Sequence, residues 1–121
     1  MHQYKKLKVW QKAVKLSLEI YETTKGFSDI EKFGLCSQIR RAAVSIPSNI
    51  AEGAGRNSMK EYGHFLNIAY GSSCELETQL IIAHRTGYLA EEKYNKLVKG
   101  INEIQKMIYA ILKYLTPSYK E

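Results

Sequence analysis

The sequence predicts an all-α protein: a four-helix bundle with antiparallel, up-down-up-down topology. Apolar residues recur every three or four positions in four stretches of similar length, and none of the chain shows the alternation typical of strands. Only a few residues separate consecutive stretches, so neighbouring helices should run antiparallel. We expect one domain, 1–121, with helices at about 7–25, 29–55, 58–86 and 90–115.

Composition and charge narrow the function classes. Lys and Arg number 18 against 12 Asp and Glu, a formal charge of +6 that favours anionic partners without identifying one. Cys36 and Cys74 are too few and too far apart for the disulfide framework of a small secreted domain. Charged residues interrupt every apolar run, so no signal peptide or membrane span is expected. We therefore expect a cytoplasmic protein without a membrane partner.

The first helix carries more apolar residues than one bundle core needs. One stripe contains Leu7, Trp10, Val14, Leu18 and Tyr21, and a second stripe beside it contains Val9, Ala13, Leu16 and Ile20. Two interpretations remain open. Either part of this helix packs against a second chain, or the helix is deeply embedded in its own bundle.

The second helix has a predicted cap and an internal proline. Ser28 and Glu31 have the S-x-x-E spacing of a capping box, so the helix should begin near Asp29. Pro47 lies inside the apolar pattern, where it removes one amide donor and crowds the preceding turn. Because the pattern keeps its phase across the proline, we expect a second helix kinked at Pro47 rather than a loop.

The third and fourth helices have clear boundaries. Ser58 and Glu61 form a second capping box at the start of the third helix. Gly63 and Gly71 inside it indicate close approach of a neighbouring helix, since glycine is otherwise unfavourable there. We expect the fourth helix to stop at Thr116–Pro117. Its apolar seam is Tyr94, Leu97, Ile101, Ile104, Ile108, Ile111 and Leu115.

The basic N-terminal segment is the first candidate for binding. Lys5, Lys6, Lys8 and Lys12, followed by Lys15, precede the first acidic residue of the chain, Glu19. Several ammonium groups at one helix end can follow a phosphate backbone and release its counterions. The alternative is a solvated face that only keeps the protein soluble.

Two adjacent arginines form the second candidate. Arg40 and Arg41 lie on a helix that is otherwise rich in small and apolar residues. Counting back from the turn places Arg41 at a level from which Glu75 and Glu77 are within reach. A guanidinium suits a carboxylate or a phosphate equally well. Both a structural ion pair and a phosphate contact by at least one arginine therefore remain open.

Polar residues near the second turn suggest a structural role. Asn49 is placed to satisfy carbonyls freed near Pro47, and Glu52 precedes Arg56 by one helical turn. Arg56 and Lys60 flank the start of the third helix, where free amides favour an anion, so they are further candidates for a phosphate contact. The expected structural polar network comprises Asn49, Glu52, Glu75 and Glu77.

The sequence offers no pattern for catalysis, a cofactor or a metal. His64 and His84 are many turns apart on one helix, so they cannot ligate one ion. Arg56 and His64 are too widely separated for the Arg–His motif of bundle-type ribonucleases. The serines and cysteines have no base with suitable spacing. We therefore expect a protein that is not an enzyme.

One stretch of the second helix identifies a family resemblance. Residues Gln38–Gly53, read as QIRRAAVSIPSNIAEG, make the chain similar to the bacterial four-helix-bundle family of 23S rRNA intervening-sequence proteins. Further matching segments, in the order of the family, are Leu7–Ala13, Glu31–Leu35, Gly55–Arg56 and Ala69–Glu77. Ser28–Asp29 departs from the family, which often has a proline after the aromatic residue.

The resemblance implies a set of partners rather than an activity. A related branch, the accessory variability proteins of diversity-generating retroelements, forms a pentameric ring that binds nucleic acid and a reverse transcriptase. By this resemblance we expect a homo-oligomer, with a pentamer as the expected state, that binds RNA or DNA and serves as an accessory or scaffold in a nucleoprotein complex. A reverse transcriptase is a further candidate partner. The alternative is a protein–protein adaptor or structural oligomer that does not touch nucleic acid.

Tyrosines are concentrated in the C-terminal third of the chain. They are Tyr88, Tyr94, Tyr109, Tyr114 and Tyr119. Aromatic residues at helical spacing usually belong to a core or an interface, and stacking on nucleobases is the alternative.

Overall fold

Four helices form the bundle in the computed structural model, which describes residues 3–31 and 33–119, with side chains up to Thr116. The helices are α1 (Lys8–Thr24), α2 (Leu35–Ala54), α3 (Met59–Arg85) and α4 (Glu91–Tyr119), with short 3-10 turns at Tyr4–Lys6 and Asp29–Glu31. No strand occurs within the described range. Consecutive helices pack side by side and α4 closes against α1, which confirms the predicted fold class. None of the described helices has the combined length and apolar character that crossing a bilayer requires.

The core takes one of the two apolar stripes of α1. Val9, Ala13, Leu16 and Ile20 are buried against the other helices. In the other stripe Leu7 and Trp10 pack partly against the core, and the outward part is Leu18, 65% exposed, and Tyr21, 41% exposed. The apolar seam of α4 also belongs to the core, as its spacing predicts. Its buried residues are Leu97, Ile101, Ile104, Ile108 and Leu115. A single bundle therefore leaves a second apolar face of α1 at its surface.

The start of α2 differs from the prediction. The helix begins at Leu35, and a 3-10 turn occupies Asp29–Glu31 instead. The Ser28 carbonyl accepts from the Glu31 amide at 3.0 Å. The Glu31 carboxylate then accepts from the Leu35 amide at 3.1 Å rather than reaching back toward Ser28. The capping-box prediction was wrong because this glutamate caps forward, onto the helix that starts four residues later.

α2 continues through Pro47 without interruption. A proline at this position cannot donate to the carbonyl of Ala43, one turn earlier. The hydroxyl of Ser17 on α1 lies 3.0 Å from that carbonyl and donates to it. Asn49, which we expected to satisfy the freed carbonyls, instead bonds the Ser45 carbonyl at 2.8 Å. The predicted kink stays a prediction.

Close packing of α2 on α3 depends on Gly53, a glycine that the prediction did not name. A Cβ built on Gly53 would lie 2.8 Å from the Cβ of Phe65 and 3.2 Å from the Tyr62 carbonyl oxygen. At Gly71, by contrast, nothing lies within 4 Å of such an atom. The prediction for Gly71 was wrong, because this residue faces solvent rather than a neighbouring helix.

The ends of α3 and α4 confirm one boundary and correct another. The Ser58 hydroxyl accepts from the Glu61 amide at 3.0 Å and caps α3 as predicted. α4 does not stop at Thr116–Pro117 but runs on to Tyr119. Pro117 removes a single backbone amide donor from the helix. The helix tolerates this loss because it extends only two residues beyond the proline.

Candidate nucleic-acid interface

Lysines from α1 and α4 meet along one edge of the bundle. Lys12 of α1 pairs with Glu103 of α4, and Lys96 lies 3.6 Å from Glu19. A hydrogen bond and the charge of Lys12, followed by the charges of Lys99 and Lys15, lower the pKa of the Glu103 carboxyl. Lys12, Lys15, Lys96 and Lys99 therefore outnumber Glu19 and Glu103 along this edge, which keeps an excess of positive charge.

A row of exposed lysines extends this edge along α4. Lys99, Lys106 and Lys113 are separated by seven residues, which places successive side chains about 10.5 Å apart on nearly the same side of the helix. No ion pair involves any of the three within the described part of the chain. We call these residues, together with Lys8, Lys12 and Lys15, the lysine face.

The N-terminal lysines are held in a fixed turn. Lys5 and Lys6 belong to the 3-10 turn that packs against α2. The Lys5 carbonyl accepts from the Gln11 side chain at 2.9 Å, and the Tyr4 ring meets Trp10 edge-on at 5.4 Å. These contacts place both ammonium groups at the end of the bundle where α1 begins, next to Lys8.

Arg56 is committed to the turn between α2 and α3. Its guanidinium lies 2.9 Å from Glu52 and 3.6 Å from Glu61, and it covers the Phe65 ring at 4.9 Å. Two carboxylates therefore compensate the positive charge of Arg56, which would otherwise attract a phosphate. Lys60, the second residue of α3, is exposed and belongs to no ion pair among the described residues.

Arg40 and Arg41 have different environments. Arg40 donates to the Thr24 hydroxyl at 2.8 Å and the Tyr21 carbonyl at 3.3 Å, with its guanidinium 4.5 Å above the Tyr21 ring. Arg41 is exposed and forms no ion pair with Glu75 or Glu77 in the described structure. The ion-pair interpretation is therefore wrong for both arginines. Arg40 instead joins α2 to α1, because its position on the helix faces Tyr21.

The expected polar network separates into independent contacts. Glu52 pairs with Arg56, and Asn49 bonds the backbone and side chain of Ser45. Glu77 accepts from the Gln105 amide at 3.4 Å, whereas Glu75 is exposed. Within the described residues these contacts are separate from one another, so a connected network stays a prediction.

A groove about 630 Å³ in volume lies between α1 and α2 on the outer surface. Tyr21, Arg40, Arg41 and Val44 line it together with Phe33 of the preceding loop. Leu18 continues the apolar surface along α1. This arrangement combines exposed apolar side chains with one uncommitted guanidinium, which suits a protein surface better than a phosphate backbone.

A second groove, about 330 Å³ in volume, separates α3 from α4 on another side of the bundle. Its lining residues are Tyr70, Asn102, Gln105, Lys106 and Tyr109. α3 contributes Tyr70, and α4 contributes the second ring, both amides and the ammonium group. Tyr109 is 59% exposed, so its ring is not part of the core.

The histidines and acids that the structure describes form no site for a metal. In the portion of the chain that the structure describes, no three His, Cys, Asp or Glu side chains converge on one point. His84 stacks on Tyr94 with ring centroids 4.6 Å apart, and His64 meets Phe65 edge-on at 5.3 Å. Both imidazoles are thus packed beside aromatic rings on α3 and α4.

Comparison with known proteins identifies the family. The sequence model for 23S rRNA-intervening sequence proteins matches residues 5–110. The chain belongs to the 23S rRNA-intervening sequence protein family. A crystal structure from Bacteroides thetaiotaomicron, of a protein with unknown function from the S23 ribosomal protein family, is 30% identical with a TM-score of 0.81. The similarity covers 87% of this chain and 98% of that one. No curated protein matches significantly.

Sequence reasoning missed half of the lysine face in this 23S rRNA-intervening sequence protein. It selected the contiguous N-terminal lysines and passed over Lys99, Lys106 and Lys113. Their seven-residue spacing was the available signal, because it places all three on one side of a helix. The lysines of α1 and those of α4 form one surface because the bundle closes with α1 beside α4. The sequence pattern of either helix alone does not show this.

Proposed function

We propose that this member of the 23S rRNA-intervening sequence protein family is a non-catalytic, self-associating bundle that binds RNA or DNA through its lysine face. It would act in the cytoplasm as an accessory or scaffold in a nucleoprotein complex. The observation that carries the proposal is the row of exposed lysines on α4, Lys99, Lys106 and Lys113, beside the Lys12–Glu103 ion pair that joins α1 to α4. Phosphates placed there relieve repulsion among the ammonium groups and release counterions.

The contributions of the predicted basic residues differ under this proposal. Lys8 contacts phosphate directly, and Lys5 and Lys6 extend the surface at one end. Lys12 contributes less than Lys8, because Glu103 compensates part of its charge. The carboxylates around Arg56 reduce its contribution. Arg40, Arg41 and Lys60 lie away from the lysine face. We assign Arg40 to the α1–α2 contact.

Binding can be tested by fluorescence anisotropy with labelled RNA over a series of salt concentrations. The test variant carries Lys15→Gln, Lys99→Gln and Lys106→Gln, which removes three charges from the lysine face. We expect its affinity to fall at least tenfold and the slope of log K against log salt to decrease. Equal loss in the control variant described next, or no binding by the wild type, contradicts the proposal.

The matched control removes the same charge elsewhere. It carries Lys25→Gln, Lys60→Gln and Arg85→Gln, three exposed positions outside the lysine face. Long-range attraction falls equally in both variants, so the control corrects for net charge. We expect the control to bind RNA within about threefold of the wild type.

Self-association is assigned to the outward stripe of α1 and the adjoining groove. Leu18, Tyr21 and Val44 expose apolar surface that a second copy would cover. Light scattering coupled to size exclusion tests this with Leu18→Glu, which should shift the mass toward that of the monomer. Ile82→Glu, an exposed isoleucine of α3, is the control and should leave the mass unchanged.

A pentamer is the proposed state, as the family resemblance implies, and a monomeric wild type contradicts it. The alternative function is a protein–protein adaptor, with a reverse transcriptase as one candidate partner. The groove beside Arg41 favours it, since apolar surface next to a free guanidinium suits an acidic protein segment. Binding of a protein partner by the wild type, lost in Arg41→Glu, without any affinity for RNA or DNA would establish the adaptor.

A further inference from the structure

The groove between α3 and α4 has the size and chemistry of a small-ligand site. Its volume of about 330 Å³ lies at the lower end of the range for small-molecule pockets. It is too small for a helix or a duplex. Tyr70 and Tyr109 supply aromatic surface, and Asn102 and Gln105 supply amides.

The amides leave polar atoms for a ligand. Gln105 directs its NH₂ group inward, with Nε2 donating to the Ser73 hydroxyl at 3.1 Å and to Glu77 at 3.4 Å. Its Oε1 atom takes no part in these bonds. Asn102 is exposed, and in the described part of the structure its amide forms no hydrogen bond with another residue. Together they offer both an acceptor and donors at the rim of the groove.

Positive charge flanks the aromatic surface on two sides. Lys106 lines the groove, and the Lys113 ammonium lies 5.9 Å from the Tyr109 ring centroid. Because this ammonium lies over the ring, a planar group stacked on the same face of Tyr109 would displace it to the side. The planar group would then have Lys113 one helical turn away in one direction and Lys106 about one turn away in the other. This juxtaposition matches a nucleobase and the phosphates that precede and follow it.

We propose that the α3–α4 groove holds one unpaired nucleobase of a single strand, stacked on Tyr109, with the flanking phosphates at Lys106 and Lys113. The inference rests on the proposed function. In a duplex the base faces are covered by their neighbours, so only an unpaired base presents a face to the ring. The protein should therefore prefer single strands to duplexes.

The exposure of Tyr109 separates this assignment from a packing role. Tyr62, a tyrosine of the core, is 4% exposed, whereas Tyr109 is 59% exposed in the same bundle. A ring that only packed the α3–α4 contact would be buried like Tyr62. Tyr114, on the same helix, is also exposed at 77% but does not line the groove. It supplies a matched control for loss of an exposed tyrosine.

The experiment measures anisotropy with three labelled probes of about 20 nucleotides, long enough for a typical single-strand site. The probes are oligouridine, oligodeoxythymidine and an RNA duplex. Tyr109→Ala should bind both single strands at least fivefold more weakly and the duplex unchanged. Tyr109→Phe keeps the ring and should bind like the wild type, as should Tyr114→Ala. The two single-stranded probes report whether the sugar matters.

Each contrary result has a separate meaning. Equal wild-type affinity for duplex and single strands, with no loss in Tyr109→Ala, overturns the base site and leaves the proposed function standing. Absence of wild-type binding to every probe overturns both. A change in oligomeric mass in Tyr109→Ala overturns the base site as well, because it makes the groove a protein interface.

Discussion

Ser17 of α1 donates a hydrogen bond of 3.0 Å to the carbonyl of Ala43, the group that Pro47 leaves without its helical donor. The hydroxyl also lies 3.0 Å from the Ala13 carbonyl in its own helix, and its single proton serves one of the two at a time. The proline and the serine therefore act as a pair across the α1–α2 contact. Their pairing allows a buried proline inside α2 without an unpaired carbonyl.

Ser17→Ala should destabilise the protein by about 1–3 kcal/mol, because it leaves the buried Ala43 carbonyl unsatisfied. In a Pro47→Ala background the backbone amide of residue 47 is restored and donates to the Ala43 carbonyl. The loss of stability caused by Ser17→Ala should then be smaller by at least about 0.5 kcal/mol, on the order of typical coupling energies. Urea unfolding of the four variants measures the coupling. Ser48→Ala, which changes an exposed serine of α2 next to Pro47, is the control. Equal losses in both backgrounds would show that the residues act independently.

Gly53→Ala and Gly71→Ala should have opposite effects on the free energy of unfolding. At Gly53 the new methyl group meets Phe65 and the Tyr62 backbone, an overpacking cost of about 1–3 kcal/mol that exceeds the gain in helix propensity. At Gly71 the methyl group meets nothing, so stability should rise by up to about 1 kcal/mol. Thermal or urea unfolding compares the two. Destabilisation by Gly71→Ala would mean that another surface contacts this position.

Arg40→Lys should destabilise the bundle by about 1–2 kcal/mol, since an ammonium cannot reproduce both bonds and the stacking on Tyr21. Arg41→Lys keeps the charge at an exposed position and should change stability by less than about 0.5 kcal/mol. Denaturant midpoints distinguish the neighbours. Comparable losses in both variants would contradict the assignment of Arg40 as the interhelical residue.

The pKa of the Glu103 carboxyl should lie below the ordinary value for glutamate, because Lys12, and then Lys99 and Lys15, stabilise its charged form. A carboxyl with a lowered pKa in the folded state contributes stability above its unfolded pKa and loses it as pH falls through the lowered value. Carbon chemical shifts of the labelled carboxyl follow this titration. In Lys12→Met the pKa of Glu103 should rise. In the control Lys25→Met it should not change, because Lys25 pairs with Glu22 instead. An unchanged pKa in Lys12→Met would contradict the assignment.

The sequence was sufficient for elements whose signals are local. The α4 seam repeats every three or four residues and is buried as predicted, and Ser58 caps α3 at the expected position. The start of α2 was wrong because S-x-x-E spacing fits both a capping box and a 3-10 turn that caps the following helix. Which geometry forms depends on where Glu31 finds a free amide.

The candidate surfaces depend on information that spacing alone lacks. Arg40 and Arg41 are adjacent in sequence but about 100° apart around the helix, so only helix packing decides which of them meets Tyr21. The α3–α4 groove likewise brings Tyr70 beside Tyr109 from distant parts of the chain. Residue types suggested the chemistry, and the tertiary arrangement selected the participants.

The seven-residue spacing of Lys99, Lys106 and Lys113 has a geometric consequence for any elongated ligand. Two turns of an α-helix take slightly more than seven residues, so each step along the row rotates by about 20° around the axis. Lys99 consequently acts on Glu103 at the α1 edge, whereas Lys113 covers Tyr109 at the α3 edge. A polyanion that touched all three would cross α4 obliquely, entering from one furrow of the bundle and leaving by the next.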